Sequence, residues 1–323
     1  MTTTCDTTES NAIQESGRNE YDLVVIGAGP AGMTASIYAG RANLTVLLLD
    51  KLAPGGQVIN TLEVQNYPGT GIINGAELAM QMFEQTQELG VAFDYATVTQ
   101  ILDEGGTKTL VCEEGPVYKA KAVIIATGTK PRRLGVSGED RFAGDSISWC
   151  AICDGAQYRC RRVVVIGGGN SAVEESLYLA GIADHLTILT LFDLTADPKA
   201  CEKLRALPNV TIHECHEILE FVGAERLEAV KARCTKSAKE VIVEADGVFE
   251  YIGLEPLAEP FRNLGILDEH GYIVVDSWMQ TSAPGIFGAG DINTKNLRQI
   301  VTACNDGALA AQSAARYIEM LRK

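Results

Sequence analysis

Cys150-Ala-Ile-Cys153-Asp154-Gly155 is the segment with the most direct chemistry. Two cysteines three apart can close a small disulfide, and once reduced one sulfur can be held as a nucleophilic thiolate. Asp154 follows at once, a carboxyl able to deliver or remove the proton that two-electron disulfide chemistry requires. A zinc site is the competing reading, and the rest of the chain argues against it. There is no second C-x-x-C, the nearest other cysteine is Cys160, and the four histidines (185, 213, 216 and 270) lie far off in sequence. His213-x-Cys215-His216 sits in NVTIHECHEIL, which alternates as one strand with its His and Cys facing solvent or core, so no metal is expected there.

The dithiol needs a source of electrons, and the sequence on either side supplies two nucleotide-binding patterns. Tyr21 to Asp50, YDLVVIGAGPAGMTASIYAGRANLTVLLLD, reads as strand, glycine turn, helix and second strand, one βαβ unit. Gly27, Gly29 and Gly32 stand as G-x-G-x-x-G at the strand-to-helix junction, with Pro30 and Ala31 opening the helix. Absent side chains permit the tight turn and let backbone N–H groups approach a pyrophosphate. Asp50 ends the second strand 23 residues after Gly27, placed for a ribose hydroxyl.

Arg162 to Ile188 repeats the scheme, with Gly167, Gly169 and Ala172 as G-x-G-x-x-A and Asn170 and Ser171 at the helix start. This second turn either faces phosphate or is kept for packing. The residues after its next strand, Thr190 to Ala196, contain no arginine, and Lys199 is the first cation. A 2′-phosphate needs a fixed cation, so NADPH preference is not expected. Asp193, 26 residues after Gly167, either accepts a ribose 2′-OH, as NADH binding wants, or is a solvated turn carboxylate. A C-x-x-C beside βαβ also suggests thioredoxin itself. That fold carries the motif near the start of a domain of roughly 100 residues, whereas here it lies between two dinucleotide folds.

The remaining punctuation gives the fold class: α/β, with two dinucleotide-binding (Rossmann-like) domains, the second inserted into the first. The first occupies residues 21–131 and 257–323 and the inserted one 132–256. KAVIIATG is a strand ending in Ala126, Thr127 and Gly128, and the late GIFGAGD places Gly290 and Asp291 at a strand's C-terminal end. Open α/β sheets bind ligands there, although Asp291 also reads as a helix cap. The 323 residues suit about two domains, and 46% hydrophobic with 21% charged residues is globular usage with no apolar run of membrane length. With 27 Lys and Arg against 42 Asp and Glu, the net charge of −15 repels a phosphate backbone, so nucleic acid is not an expected partner. Residues 1–20 read as a flexible tail rather than a signal peptide. Nine cysteines, an odd count in a chain without an export signal, point to a reducing cytoplasm.

In their order and spacing, VIGAGPAG (25–32), GGQ (55–57), NYPG (66–69), IIATG (124–128), CAICDG (150–155), GGGNSAVEE (167–175), GAGD (288–291) and Arg298-Gln299 resemble the low-molecular-weight thioredoxin reductases. These are flavoproteins of the pyridine-nucleotide disulfide oxidoreductase class. The resemblance implies FAD held by Gly27, Gly29, Gly32, Asp50, Gly56, Gln57, Asn66, Ala126, Thr127, Gly128, Gly290, Asp291, Arg298 and Gln299. It also implies flavin reduction of the disulfide near Cys153, exchange from Cys150 with a thioredoxin-like protein, Asp154 as acid and base, a rotating inserted domain and a homodimer. Three departures stand out. The family's His-Arg-Arg is replaced by Thr190, Leu191 and Phe192, its later Arg by Ala196, and Cys304 and Asn305 stand where relatives carry small residues. Some relatives use NADH, and others reduced ferredoxin, flavodoxin or another flavin. A redox-sensing flavoprotein without turnover is the reading from another class.

Overall fold

The structure is a computed structural model describing residues 19–61 and 63–322; most of the expected tail, residues 1–18, lies outside the described residues. The chain opens with β1 (Glu20–Ile26), α1 (Pro30–Arg41) and β2 (Val46–Asp50), then α2 (Gly75–Glu88) and strands β3 (Ala92–Tyr95), β4 (Val98–Asp103), β5 (Lys108–Cys112) and β6 (Tyr118–Ile125). A short strand β7 (Thr129–Pro131) leads away. There follow α3 (Glu139–Phe142), β8 (Ile147–Ser148), α4 (Ala151–Asp154), β9 (Arg162–Ile166), α5 (Asn170–Ala180), β10 (His185–Thr190), α6 (Pro198–Arg205), β11 (Val210–Glu214), β12 (His216–Val222), β13 (Ala229–Cys234), β14 (Glu240–Glu244) and β15 (Gly247–Glu250). The chain returns through β16 (Leu254–Pro256) to β17 (Ile286–Gly288) and the long α7 (Ile300–Leu321).

The first sheet runs β3-β2-β1-β6-β5-β4, with β17 beside the C-terminal half of β6. Its central strands β1 and β6 are parallel and buried on both faces, which is why they read as continuous apolar runs. One face is covered by α1, α2 and α7 around Leu23, Val25, Leu48 and Ile124; the other packs Val24, Leu47 and Ile125 on Phe261 and Ile266. The second sheet, β11-β10-β9-β15-β8, is parallel and is joined by an antiparallel sheet of β12, β13 and β14. The parallel core β3-β2-β1-β6-β17 of the first sheet, whose β5 and β4 are antiparallel, and the parallel second sheet, both with flanking helices, bear out the α/β class.

Two features position the chemistry. β7 and β16 pair antiparallel, Thr129 with Pro256, Lys130 with Glu255 and Pro131 with Leu254, so the outgoing and returning crossovers form one ribbon. The stretch read as a single strand through His213 and His216 is broken at Cys215, whose φ of 59° turns the chain from the parallel sheet into the antiparallel one. Among the described residues no helix is long and apolar enough to cross a membrane, and no group of three or more His, Cys, Asp or Glu could hold a metal ion.

Candidate functional site

At the first glycine turn the backbone leaves no room for side chains. Gly27 has a φ of +105°, and a Cβ there would lie 2.3 Å from the Ala126 carbonyl oxygen. Gly29 is the residue before α1 and brings no side chain to cap it, so the first-turn N–H groups are available to an anion. Gly56 lies against it, its absent Cβ 3.2 Å from the Gly29 Cα. Asp50, at the end of β2, holds the turn: its Oδ2 accepts from Ala28 N at 2.7 Å and its Oδ1 from Leu52 N at 3.0 Å.

The other residues implied for this site gather from three stretches. Thr127 Oγ1 donates to Leu257 O at 2.8 Å and Gln57 Nε2 to Thr129 O at 3.4 Å, both beside the ribbon; Gly128 is left-handed there. Asn66 Nδ2 donates to Gln299 Oε1 at 3.0 Å, across 233 residues of chain. Arg298 donates from Nε to Asp291 O at 3.4 Å and lies over the Tyr272 ring. Gly290 N donates to Asp306 Oδ2, which Lys295 also binds, at 2.6 Å. Asp291 is not a helix cap, because Gln299 precedes α7. Its Oδ1 is buried without a hydrogen-bond partner, and burial pushes its carboxyl above the ordinary range despite Lys295 and Arg298. An orphaned buried acceptor, an open helix start and two backbones in contact fit a dinucleotide such as FAD. Cys304 Sγ lies 3.8 Å from Tyr67 OH, whose pKa burial and this thiol raise to about 12.

Cys150 and Cys153 are joined in a disulfide with Cα atoms 5.2 Å apart. Each N–H of the turn has a partner. Cys150 N donates to Ser148 Oγ at 3.1 Å, Ala151 N to Tyr251 OH at 2.7 Å, Ile152 N to the Glu175 carboxylate and Cys153 N to Cys150 Sγ at 3.2 Å. Ser148 Oγ also donates to Asp154 Oδ2 at 2.5 Å. Burial raises the Asp154 carboxyl, partly offset by that hydroxyl, and burial likewise raises Glu175, whose Oε2 has no partner. Ser148, Glu175 and Tyr251 were not read from sequence. Tyr251 lies 100 residues from Ala151, and nothing local to either signals the contact.

The second glycine turn copies the first. Gly167 has a φ of +134°, with its absent Cβ 2.4 Å from the Tyr251 carbonyl oxygen, and Gly169 precedes α5 without a side-chain cap. Ala172 is buried under the turn and Ser171 is exposed. The loop after β10 folds onto this turn: Thr195 N donates to Gly168 O at 2.8 Å and Asp197 N to Asn170 Oδ1 at 2.9 Å. Asp197 also caps α6 through Lys199 N and Ala200 N. Asp193 is exposed in the bend after β10, and its Oδ1 accepts from Cys215 Sγ at 3.4 Å. Leu191 and Phe192 are exposed.

The description "Pyridine nucleotide-disulphide oxidoreductase" matches residues 21–307. The chain belongs to this family. The thioredoxin reductase of Listeria innocua is 44% identical over 305 residues, 94% of this chain and 95% of that protein. Among solved structures, the thioredoxin reductase of Streptococcus pyogenes superposes with a TM-score of 0.87 at 40% identity, over 94% of this chain and 99% of that one. The Lactococcus lactis thioredoxin reductase in its FR conformation, also 40% identical and covering 93% and 99%, gives 0.68. The likeness to thioredoxin reductases seen in the motifs is thus borne out across the chain, and the protein is an oxidoreductase of this family.

Proposed function

We propose that this protein is an FAD-dependent thioredoxin reductase that passes two electrons through the Cys150–Cys153 pair to the disulfide of a thioredoxin-like protein, without preference for NADPH. The observation that carries the reading is a disulfide in a fully hydrogen-bonded turn, with a raised carboxyl on the next residue after Cys153, set between two glycine turns of dinucleotide type. FAD, when bound, would supply the two-electron chemistry that links the donor to the disulfide. Gly27, Gly29, Gly32 and the start of α1 would hold its pyrophosphate, Asp50 a ribose and Asp291, through its orphaned oxygen, a further hydroxyl.

The chain's own residues then carry the exchange. The Cys150 thiolate attacks the partner's disulfide; that S–S bond breaks, a mixed disulfide forms, and the departing sulfur takes a proton. Cys153 attacks Cys150 Sγ, which restores the internal disulfide and releases the partner's second thiol. Asp154, kept protonated to higher pH than an ordinary carboxyl and oriented by Ser148, supplies a proton and recovers it at each reduction. A homodimer and a turning inserted domain follow from the resemblance. Two relatives at the same 40% identity that superpose at 0.87 and 0.68 support the turning, since a change in angle between two units lowers a global superposition.

A second reading, without a pyridine nucleotide, is favoured by the second turn, where Thr195 and Asp197 occupy acceptors of the glycine loop and Leu191 and Phe192 replace cations. Reduced ferredoxin, flavodoxin or another flavin would then be the donor. Anaerobic mixing of the oxidised flavoprotein with NADH, NADPH and photoreduced ferredoxin, following the flavin band, decides between them. Bleaching by NADH supports the first reading and bleaching by ferredoxin alone the second. Multiple turnover with any thioredoxin removes a pure sensor role, and preferential bleaching by NADPH sinks the donor proposal.

A further inference from the structure

The residues on either side of Cys150 are held by two consecutive residues at the end of β15. Trp149 donates from Nε1 to Glu250 Oε2 at 3.0 Å, and Ala151 N donates to Tyr251 OH at 2.7 Å. Glu250 is 2% exposed, although a carboxyl buried to that extent is costly unless it is neutral or paired. Its neighbour across the packing is Glu139 of α3, equally buried. Glu139 has its own partners: Leu134 N and Gly135 N donate to its two oxygens at 3.0 and 2.6 Å, and Arg133 lies 3.7 Å away. Burial, and then the neighbouring Glu139, favours the neutral form of Glu250, whose Oε1 is buried without a hydrogen-bond partner. The Arg133 guanidinium also lies 4.5 Å over the Trp149 ring, so the indole is fixed from the outgoing crossover on one face and from the start of the returning one at its nitrogen.

We propose that Glu250 is a positioning residue for the dithiol: in its protonated form it bridges Glu139 to Trp149, and together with Tyr251 it clamps the turn on both sides of Cys150, fixing the direction of that sulfur. The charged and titratable groups facing it are Glu139 from α3 and Arg133 from the segment after β7, with Tyr251 next to it just beyond the end of β15. Burial, then Glu139, pushes the Glu250 carboxyl up to about 8. Below that value it is neutral and the bridge is complete; above it Glu250 carries a buried charge beside Glu139 and the bridge opens. The role assigned to Cys150 rests on the proposed exchange reaction, but the clamp itself is read from the reactivity of one sulfur.

The flavin-loaded enzyme, with Trp278→Phe so that Trp149 reports alone, is titrated from pH 6 to 9.5 by fluorescence. In parallel the reduced protein is alkylated with iodoacetamide, and Cys150 labelling is timed by peptide mass. The expected result is a shared transition near pH 8 in fluorescence and in Cys150 labelling, absent from both in Glu250→Gln, which keeps a neutral donor and acceptor. Glu250→Ala changes the Cys150 labelling rate at pH 7 by roughly tenfold, and Glu250→Gln recovers most of it. Tyr251→Phe, which leaves the Ala151 N–H unpaired, gives a change of similar size without removing the transition. A Glu250→Gln profile superimposable on the parent's overturns the proposal, as does unchanged labelling in Glu250→Ala. Failure of the exchange reading shows separately, as retained thioredoxin turnover in Cys150→Ser.

Discussion

The two glycine turns are near copies, yet they differ in what their surroundings leave open. At the first, Gly27 packs on Ala126 O, and an acceptor of Asp291 remains buried and unpaired beside residues drawn from three distant stretches. At the second, Gly167 packs on Tyr251 O just as closely, but the neighbouring loop turns its N–H groups onto Gly168 and Asn170, and Asp193 is engaged by Cys215. The same βαβ geometry thus has an unpaired acceptor beside it in one place and, in the other, is packed through Tyr251 against the dithiol turn. A glycine motif states how close two backbones come. Whether a ligand is held depends on polar groups that the rest of the fold leaves unsatisfied.

The strongest way to sharpen this contrast is to silence one side. Cys153→Ser should reduce thioredoxin turnover to background while the purified protein stays yellow, read by the flavin band and a coupled disulfide assay. Gly27→Val, whose side chain would enter the space of Ala126 O, should give flavin-free or insoluble protein, whereas Gly167→Val should keep flavin and impair the dithiol. Equal flavin loss in both would break the comparison. Asp154→Asn should slow turnover about 100-fold. In the parent, activity should decline as pH rises through the raised Asp154 pKa, since the protonated acid is then lost, and the variant should lack that limb. Placing Arg at Leu191, Phe192 and Ala196 together should speed NADPH bleaching about tenfold, the value of a fixed cation for a 2′-phosphate. Least of all, Asp193→Asn should alter NADH bleaching by no more than about twofold, since the amide keeps an acceptor oxygen at this exposed position.

Much of this was legible because it is local. The glycine turns, Asp50 at a strand end and the C-x-x-C each lie within a single run of sequence whose period fixes strand or helix. The ribbon at 129–131 and 254–256 falls at the places where Pro and Gly interrupt the pattern. What stayed hidden is non-local or conformational. Glu250 and Tyr251 look like ordinary strand residues, and their partners lie about 100 residues earlier. Cys215 carries no Gly or Asn signal for its left-handed backbone, so a broken strand read as a continuous one. Asp291 was ambiguous until α7 was seen to be capped by Gln299.

The pairing of β7 with β16 has a topological consequence. Its two strands enter and leave the inserted segment side by side, about 4.8 Å apart as in any sheet. As a polymer, everything from 132 to 253 is therefore the loop of a single β-hairpin, and its two ends demand no more of the sheet beneath than a tight turn would. Replacing that loop by Asn-Gly would leave the chain path of the first fold uninterrupted. A dithiol carrier attached in this way is exchangeable cargo: the sheet that receives it need not know its length, and another module with neighbouring ends could take its place.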